Sequence, residues 1–168
     1  MKITKRLLLL VLVFSMILSV VGCAKKPIDL KKFKDIMEND FNCDVEQHII
    51  DGIDMEAYLQ SMGIKEKYYA YVGSEADVNF ILFEDTDRAE LWFEDSIEYY
   101  EDNDDFKVNK SGSGNYMKVV IKSKNDDEIA GIYLVYIRSE TMVITLRNWN
   151  FKDKEIKKAN NIIKRLGY

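Results

Sequence analysis

The chain is poor in the residues that carry most recognisable chemistry. Its 168 residues include two cysteines, one histidine and one proline. His48 has no companion: there is no His-Glu-x-x-His and no Cys-x-x-Cys, so a zinc or iron site would need an unusual ligand set. No Gly-x-Ser-x-Gly elbow supports a Ser-His hydrolase. Gly112-Ser-Gly114 is followed by a strand pattern without Gly-Lys-Ser/Thr, which reads as a loop and not a phosphate cradle. Cys43 and His48 stand five positions apart on one extended run. Such a spacing points them to opposite faces and makes no nucleophile–base pair. These absences predict no catalytic residue, no cofactor and no metal.

Acidic residues are also missing from the start of the chain, where none precedes Asp29. Lys2, Lys5 and Arg6 are followed by Leu7 to Val21, apolar except for Ser15 and Ser19. Those 15 residues would span roughly 22 Å as a helix, short of the ~30 Å hydrocarbon core of a bilayer. A positive start and a short apolar run fit a cleavable signal peptide. The run ends in Val20-Val21-Gly22-Cys23, which resembles the lipobox of bacterial prolipoproteins. The resemblance covers residues 1–23 and implies a signal peptide over 1–22. It further implies that Cys23 takes a lipid on its thiol and that its freed amino group is acylated, as with palmitate. Two or more acyl chains give stable anchoring at about 0.8 kcal/mol per buried CH₂. Ala24 occupies the position where Asp retains lipoproteins in the Gram-negative inner membrane. With a composition rich in Lys, Ile and Asn, this suggests the outer face of a Gram-positive-like cell membrane.

Removal of residues 1–23 would leave 21 basic and 29 acidic side chains, a net charge of −8. That charge argues against nucleic acid as a partner, while Lys25 and Lys26 suit contact with anionic headgroups. Only Cys43 would keep a free thiol, so no intramolecular disulfide is expected and burial is its expected state. No Ser/Gly-rich leash follows Cys23. Residues 23–28 read as lipidated cysteine and short tether, and 29–168 as one globular domain of sufficient length for a core. The short reach favours partners in or near the membrane: the bilayer itself and a membrane-associated protein.

Asp29 is placed to cap a helix with Leu30, Phe33, Met37 and Phe41 on one stripe. Asp44–Ile50 reads as a strand, and Asp54 as the cap of a short helix ended by Gly63. Runs 67–73 and 77–84 read as a hairpin, the second apolar on both faces and therefore central. Asp87 and Glu90 form a capping-box-like start to a helix, after which Glu101–Asp105 breaks the pattern and Lys110–Asn115 reads as a flexible connector. Three strands follow, at 116–124, 129–138 and 142–148, then a helix over about 152–166. The fold class is α+β: antiparallel sheet built from hairpins, with amphipathic helices packed on one face. Tyr71-Val-Gly-Ser-Glu75-x-x-Val78 matches Tyr136-Ile-Arg-Ser-Glu140-x-x-Val143 at an offset of 65. Duplication of two similar β-β-α halves and chance are both open readings.

Two features remain. From Glu84 to Asp105 there are eleven acidic residues against Arg88 alone, without the Asp-x-Asp-x-Asp-Gly order of a calcium loop; a solvated helix face is the expectation. Tyr68, Tyr69, Tyr71, Tyr133, Tyr136 and Trp149 gather on or beside strands, and an uncovered sheet face would present some as a binding surface. Tyr71, Tyr136 and Trp149 are the candidates for ligand or partner contact. The function read from this is a membrane-anchored, non-catalytic binding or interaction module. A cell-envelope hydrolase using carboxylates and a small-ligand or metal-binding lipoprotein are the alternatives. Replacement Cys23→Ala is expected to abolish both metabolic lipid labelling and membrane retention; retention and labelling that persist in the variant would remove the anchor.

Overall fold

The computed structural model describes residues 25–47, 55–74, 76–124, 131–149 and 152–168. The signal-peptide pattern, Cys23, His48, Asp54 and the turn at 125–127 lie outside the described residues. Four helices and seven strands are described in this order: α1 (Leu30–Phe41), β1 (Val45–Gln47), α2 (Met55–Ser61), β2 (Ile64–Val72), β3 (Ala76–Phe83), α3 (Thr86–Glu101), β4 (Phe106–Ser113), β5 (Tyr116–Ser123), β6 (Tyr133–Ser139), β7 (Met142–Asn148) and α4 (Asp153–Arg165). The strands form one sheet in the order β1-β2-β3-β7-β6-β5-β4, and every neighbouring pair is antiparallel. No helix among the described residues is long and apolar enough to cross a membrane.

The α+β class and the antiparallel sheet are as expected from the hairpin pattern; the one-face packing is not. Val78, Phe80, Val135, Ile137, Ile144 and Leu146 join Phe33 and Met37 of α1 and Ala159, Ile162 and Ile163 of α4 in one core. Ile81, Phe83, Leu134, Val143, Val119 and Ile121 form a second core with Ala89, Phe93 and Ile97 of α3. Helices therefore cover both faces. The cause is in the strands: β3, β6 and β7 are apolar at both alternating parities, so neither face tolerates water.

Local signals set the helix starts. The Asp29 carboxylate accepts the Lys32 amide at 2.7 Å, and Phe33 and Met37 are fully buried. For α3 the cap is Asp85, whose carboxylate accepts the Arg88 amide at 2.8 Å. Asp87, expected to cap, lies inside the first turn. Glu90 is drawn away from any capping box because it accepts from the buried Arg138 guanidinium at 2.9 Å. Arg138 also bonds the Gly114 carbonyl and lies over the Phe93 ring, fastening α3 to β6.

Two other expectations change. Residues 106–113, of which the sequence pattern reads 110–113 as connector and assigns 106–109 to no element, form the edge strand β4 on β5. Only Phe106 and Val108 alternate with exposed residues and pack on the α3 core; from Asn109 on the strand is polar and exposed, and pairing with β5 supplies the order that propensity lacks. The duplication also fails in three dimensions. The β2–β3 connection holds three residues between the paired Val72 and Ala76, whereas β6–β7 holds two between Ser139 and Met142. A one-residue difference reverses the facing of the strand after the turn, so the matched Val78 and Val143 enter different cores.

Residues assigned to the tether lie along the domain. The Ser139 hydroxyl donates to the Lys25 carbonyl at 2.6 Å, and the Tyr168 hydroxyl to the Lys26 carbonyl at 2.9 Å. Lys25 returns a bond to the Gly167 carbonyl, and Ile28 is buried in the α1/α4 core. Lys25, the first described residue, lies at the end of the sheet marked by Ser139 and Met142. At the opposite end are Gly73, Ser74 and Asn148.

Replacing the observed cap, Asp85→Ala, is expected to lower unfolding free energy by about 1 kcal/mol in urea titration. Asp87→Ala should cost less than half as much, and equal losses would move the cap to Asp87.

Candidate functional site

Helix α3 does not cover its whole face of the sheet. Near its start Trp92 packs on Phe83 of β3, and near its end Tyr100 packs edge-on against Phe106 of β4. It thus crosses diagonally from the third strand toward the edge. The strand positions it leaves behind, on β2, β3 and β7 toward Asn148, are polar: Tyr69, Tyr71, Asp77, Asn79, Thr145 and Arg147.

Between α3 and these strands lies a cavity of about 250 Å³. Its sheet wall carries Lys67, Asn79, Leu134, Tyr136, Thr145 and Arg147, and its helix wall Trp92, Ser96 and Tyr100. Register brings these residues together. Asn79 pairs with Thr145, Thr145 with Tyr136, and Leu134 with Arg147, all on the α3 side of the pleat. The groove ends one position from Asn148.

Electrostatics distinguish this groove from the acidic surface around it. Arg147 donates through Nε to Asp77 at 3.2 Å and lies 5.1 Å from the Trp149 ring centroid. Asp77 is 5 % exposed and also accepts from Asn79 at 2.8 Å, so its charge is already satisfied. Lys67 has no hydrogen-bond or ion-pair partner among the described residues. Burial holds its amine below the usual lysine range, the neighbouring Arg147 charge pushes it further down, and Asp77 opposes. Tyr136 is pushed up to about 12, foremost by burial and then by Tyr100. The hydroxyl therefore stays protonated and serves as a hydrogen-bond donor at neutral pH.

Of the aromatic candidates, Tyr136 lines the groove, while Tyr71 and Trp149 lie exposed near its Arg147 end. Tyr71 pairs with Asp77 and meets the Tyr69 ring edge-on at 5.3 Å. Tyr68 and Tyr133 belong to the other face: Lys34 sits over Tyr68, and buried Tyr133 donates to Asn160 at 2.9 Å. Cys23 is outside the described residues. The sequence did not single out Lys67, Asn79, Trp92, Thr145 or Arg147. A signal for four of them exists in retrospect, as polar residues at one parity of otherwise apolar strands.

The acidic run lies on the outer side of α3, where Asp95, Glu98, Asp102 and Asp104 surround an open hollow beside Tyr99. Among the described residues no three Asp, Glu, His or Cys side chains converge to hold a metal ion. Cys43 is buried, donates to the Phe41 carbonyl at 3.3 Å, and has its thiol pushed up by burial. That is an inert environment for a thiol.

No protein-family model and no curated protein matches the sequence. Among solved structures, the extracellular domain of PknH from Mycobacterium tuberculosis is similar at a TM-score of 0.36 and 8% identity, covering 83% of this chain and 91% of that one.

If Arg147 depresses the Lys67 amine, Arg147→Gln should move the Lys67 titration upward, toward the usual lysine range. Heteronuclear NMR of the lysine side chains reads this directly, and an unmoved Lys67 would mean burial alone sets its value.

Proposed function

We propose that this chain is a lipid-anchored protein of the outer membrane face whose domain is a non-catalytic module binding a small ligand in the α3 groove. The observation that carries the binding role is the groove itself: aromatic rings and convergent polar groups in one concavity, the usual composition of a ligand site. About 250 Å³ lies just under the usual range for drug-sized ligands and suits an occupant of amino-acid or single-ring size.

Its lining argues against the hydrolase alternative. Carboxylate hydrolysis of glycosides uses two acids about 5 to 9.5 Å apart across the bond, and no Asp or Glu lines this groove. The carboxylate bonded to two lining residues, Asp77, is buried and engaged by Arg147 and Asn79. Ser96 donates its hydroxyl to the Trp92 carbonyl at 2.7 Å, and among the described residues no histidine lines the groove.

The anchored placement rests on the Val20–Cys23 pattern, and the docked N-terminal segment gives it a direction. Cys23 stands two residues before Lys25, a reach of roughly 7 Å. A lipid there holds the Ser139 end of the sheet against the bilayer, with Lys25 and Lys26 facing its headgroups. The Arg147 end of the groove then points away from the membrane, open to ligands or to a membrane-associated partner.

The reading is tested with full-length lipidated protein in detergent micelles, incubated with the small-molecule fraction of the cell envelope and recovered by affinity. A compound retained unaltered by the protein and lost from Tyr136→Trp, which fills the groove, is the expected result. Progressive conversion of a compound would make the protein an enzyme, and no retention would remove the binding role. On intact cells, a bulky impermeant maleimide should label Ser74→Cys several-fold faster than Asn115→Cys. Equal rates would overturn the proposed orientation.

A further inference from the structure

The groove is a positively charged concavity on a domain of strongly negative charge. Both of its charged lining residues are cations, Lys67 and Arg147, and no lining residue is acidic. Asp77 engages Nε of Arg147 and leaves the terminal guanidinium nitrogens without a hydrogen-bonding partner among the described residues. Lys67 is the more telling of the two. A half-buried ammonium beside a second cation is unfavourable unless something compensates it; Asp77 does so only in part, being already bonded to Arg147 and Asn79 and forming no hydrogen bond or ion pair with Lys67. The polar groups around the cations are Asn79, Thr145 and the Tyr136 hydroxyl, which can donate to an acceptor.

We infer that the groove's ligand carries an anionic group, carboxylate or phosphate, held by Lys67 and Arg147, with a planar ring between Trp92 and Tyr100 of the helix wall and Tyr136 of the sheet wall. This rests on the binding role proposed above and assigns the chemistry of the ligand. Each part of the assignment has its counterpart in the wall. Arg147 presents a planar fork suited to two oxygens at once, while Lys67 acts as a compact charge. Trp92 is fixed by Phe83 and Tyr136 by Phe93, whose ring centroids stand 5.8 and 6.4 Å away respectively, so the rings are positioned before any ligand arrives. Cations already placed in a partly desolvated groove confer charge selectivity because an anion, unlike a neutral isostere, relieves their mutual repulsion. A cationic ligand would add to it.

The test uses one ring with different charges. Benzoate, phenyl phosphate, benzamide and benzamidine are each titrated into full-length protein in neutral detergent, followed by amide NMR shifts of Asn79, Thr145 and Arg147. Benzoate or phenyl phosphate should saturate these shifts, benzamide should bind at least about tenfold more weakly and benzamidine not at all, since one charged hydrogen bond contributes at least that factor. Which of the two anions binds tighter decides between a carboxylate and a phosphate ligand. Lys67→Met should weaken the anions about tenfold or more while Lys31→Met, on the exposed side of α1, leaves them unchanged. Arg147→Gln, at an exposed position that leaves both cores intact, provides a second variant if Lys67→Met unfolds. Equal binding of benzamide and benzoate would overturn the anionic assignment while leaving the binding role. Absence of binding by all four, alongside an envelope compound retained by the lipidated protein, would overturn the assignment alone.

Discussion

The structure depends on a sheet that must be dry on both faces. Strands β3, β6 and β7 alternate large apolar residues at both parities: Phe80 against Ile81, Ile137 against Leu134, Ile144 against Val143. Each fully buried side chain of this size contributes about 1.5–3 kcal/mol relative to exposure. Neither face can be left to water without giving up a large share of a stability that for a folded domain amounts to about 5–15 kcal/mol in total. Helices α1 and α4 seal one side, and α3 with Leu59 of α2 the other. With no disulfide among the described residues, this double burial and the ladder hydrogen bonds hold the fold.

The groove is a consequence of that constraint. Helix α3, even with Leu59 of α2 packed on the same core, leaves part of a seven-stranded face uncovered, and it runs diagonally because it follows β3 and must reach the β4 edge. The apolar residues lie under its track; the polar ones lie in the corner it leaves. There Asp77 is buried yet fully engaged, and Arg147 is held between Asp77 and Trp149. A corner kept polar on an otherwise apolar sheet has to satisfy or compensate its charges. The pairing of Lys67 with Arg147 in one cavity leaves part of that compensation to a ligand.

Legibility followed locality. Asp29, its stripe of Phe33 and Met37, the bounds of β7 and the turn of α2 at Gly63 depend on residues a few positions apart, and the sequence pattern locates them. Asp85 competed with Asp87 for the cap of α3 within two residues, and only geometry decides between neighbours. β4 went unread because its alternation is limited to Phe106 and Val108, and the rest of an exposed edge strand owes its conformation to β5. Of the candidate site, Tyr136 was legible as an aromatic on a strand, whereas Lys67 and Arg147 lie 80 residues apart and meet through the β2–β3–β7 pairing.

By itself the sequence determined the class of fold, the β2–β3 and β6–β7 hairpins and the lipobox-like pattern ending at Cys23, and it favoured burial of Cys43. These are decided by composition, periodicity and contiguous motif. Tertiary structure alone decided which helix covers which face, that the two similar-looking halves send Val78 and Val143 into different cores, and that two cations share a groove. The physical reason is that facing is a parity: one extra residue in the β2–β3 connection reverses it, and a local pattern has no means of counting a turn whose length only strand pairing defines.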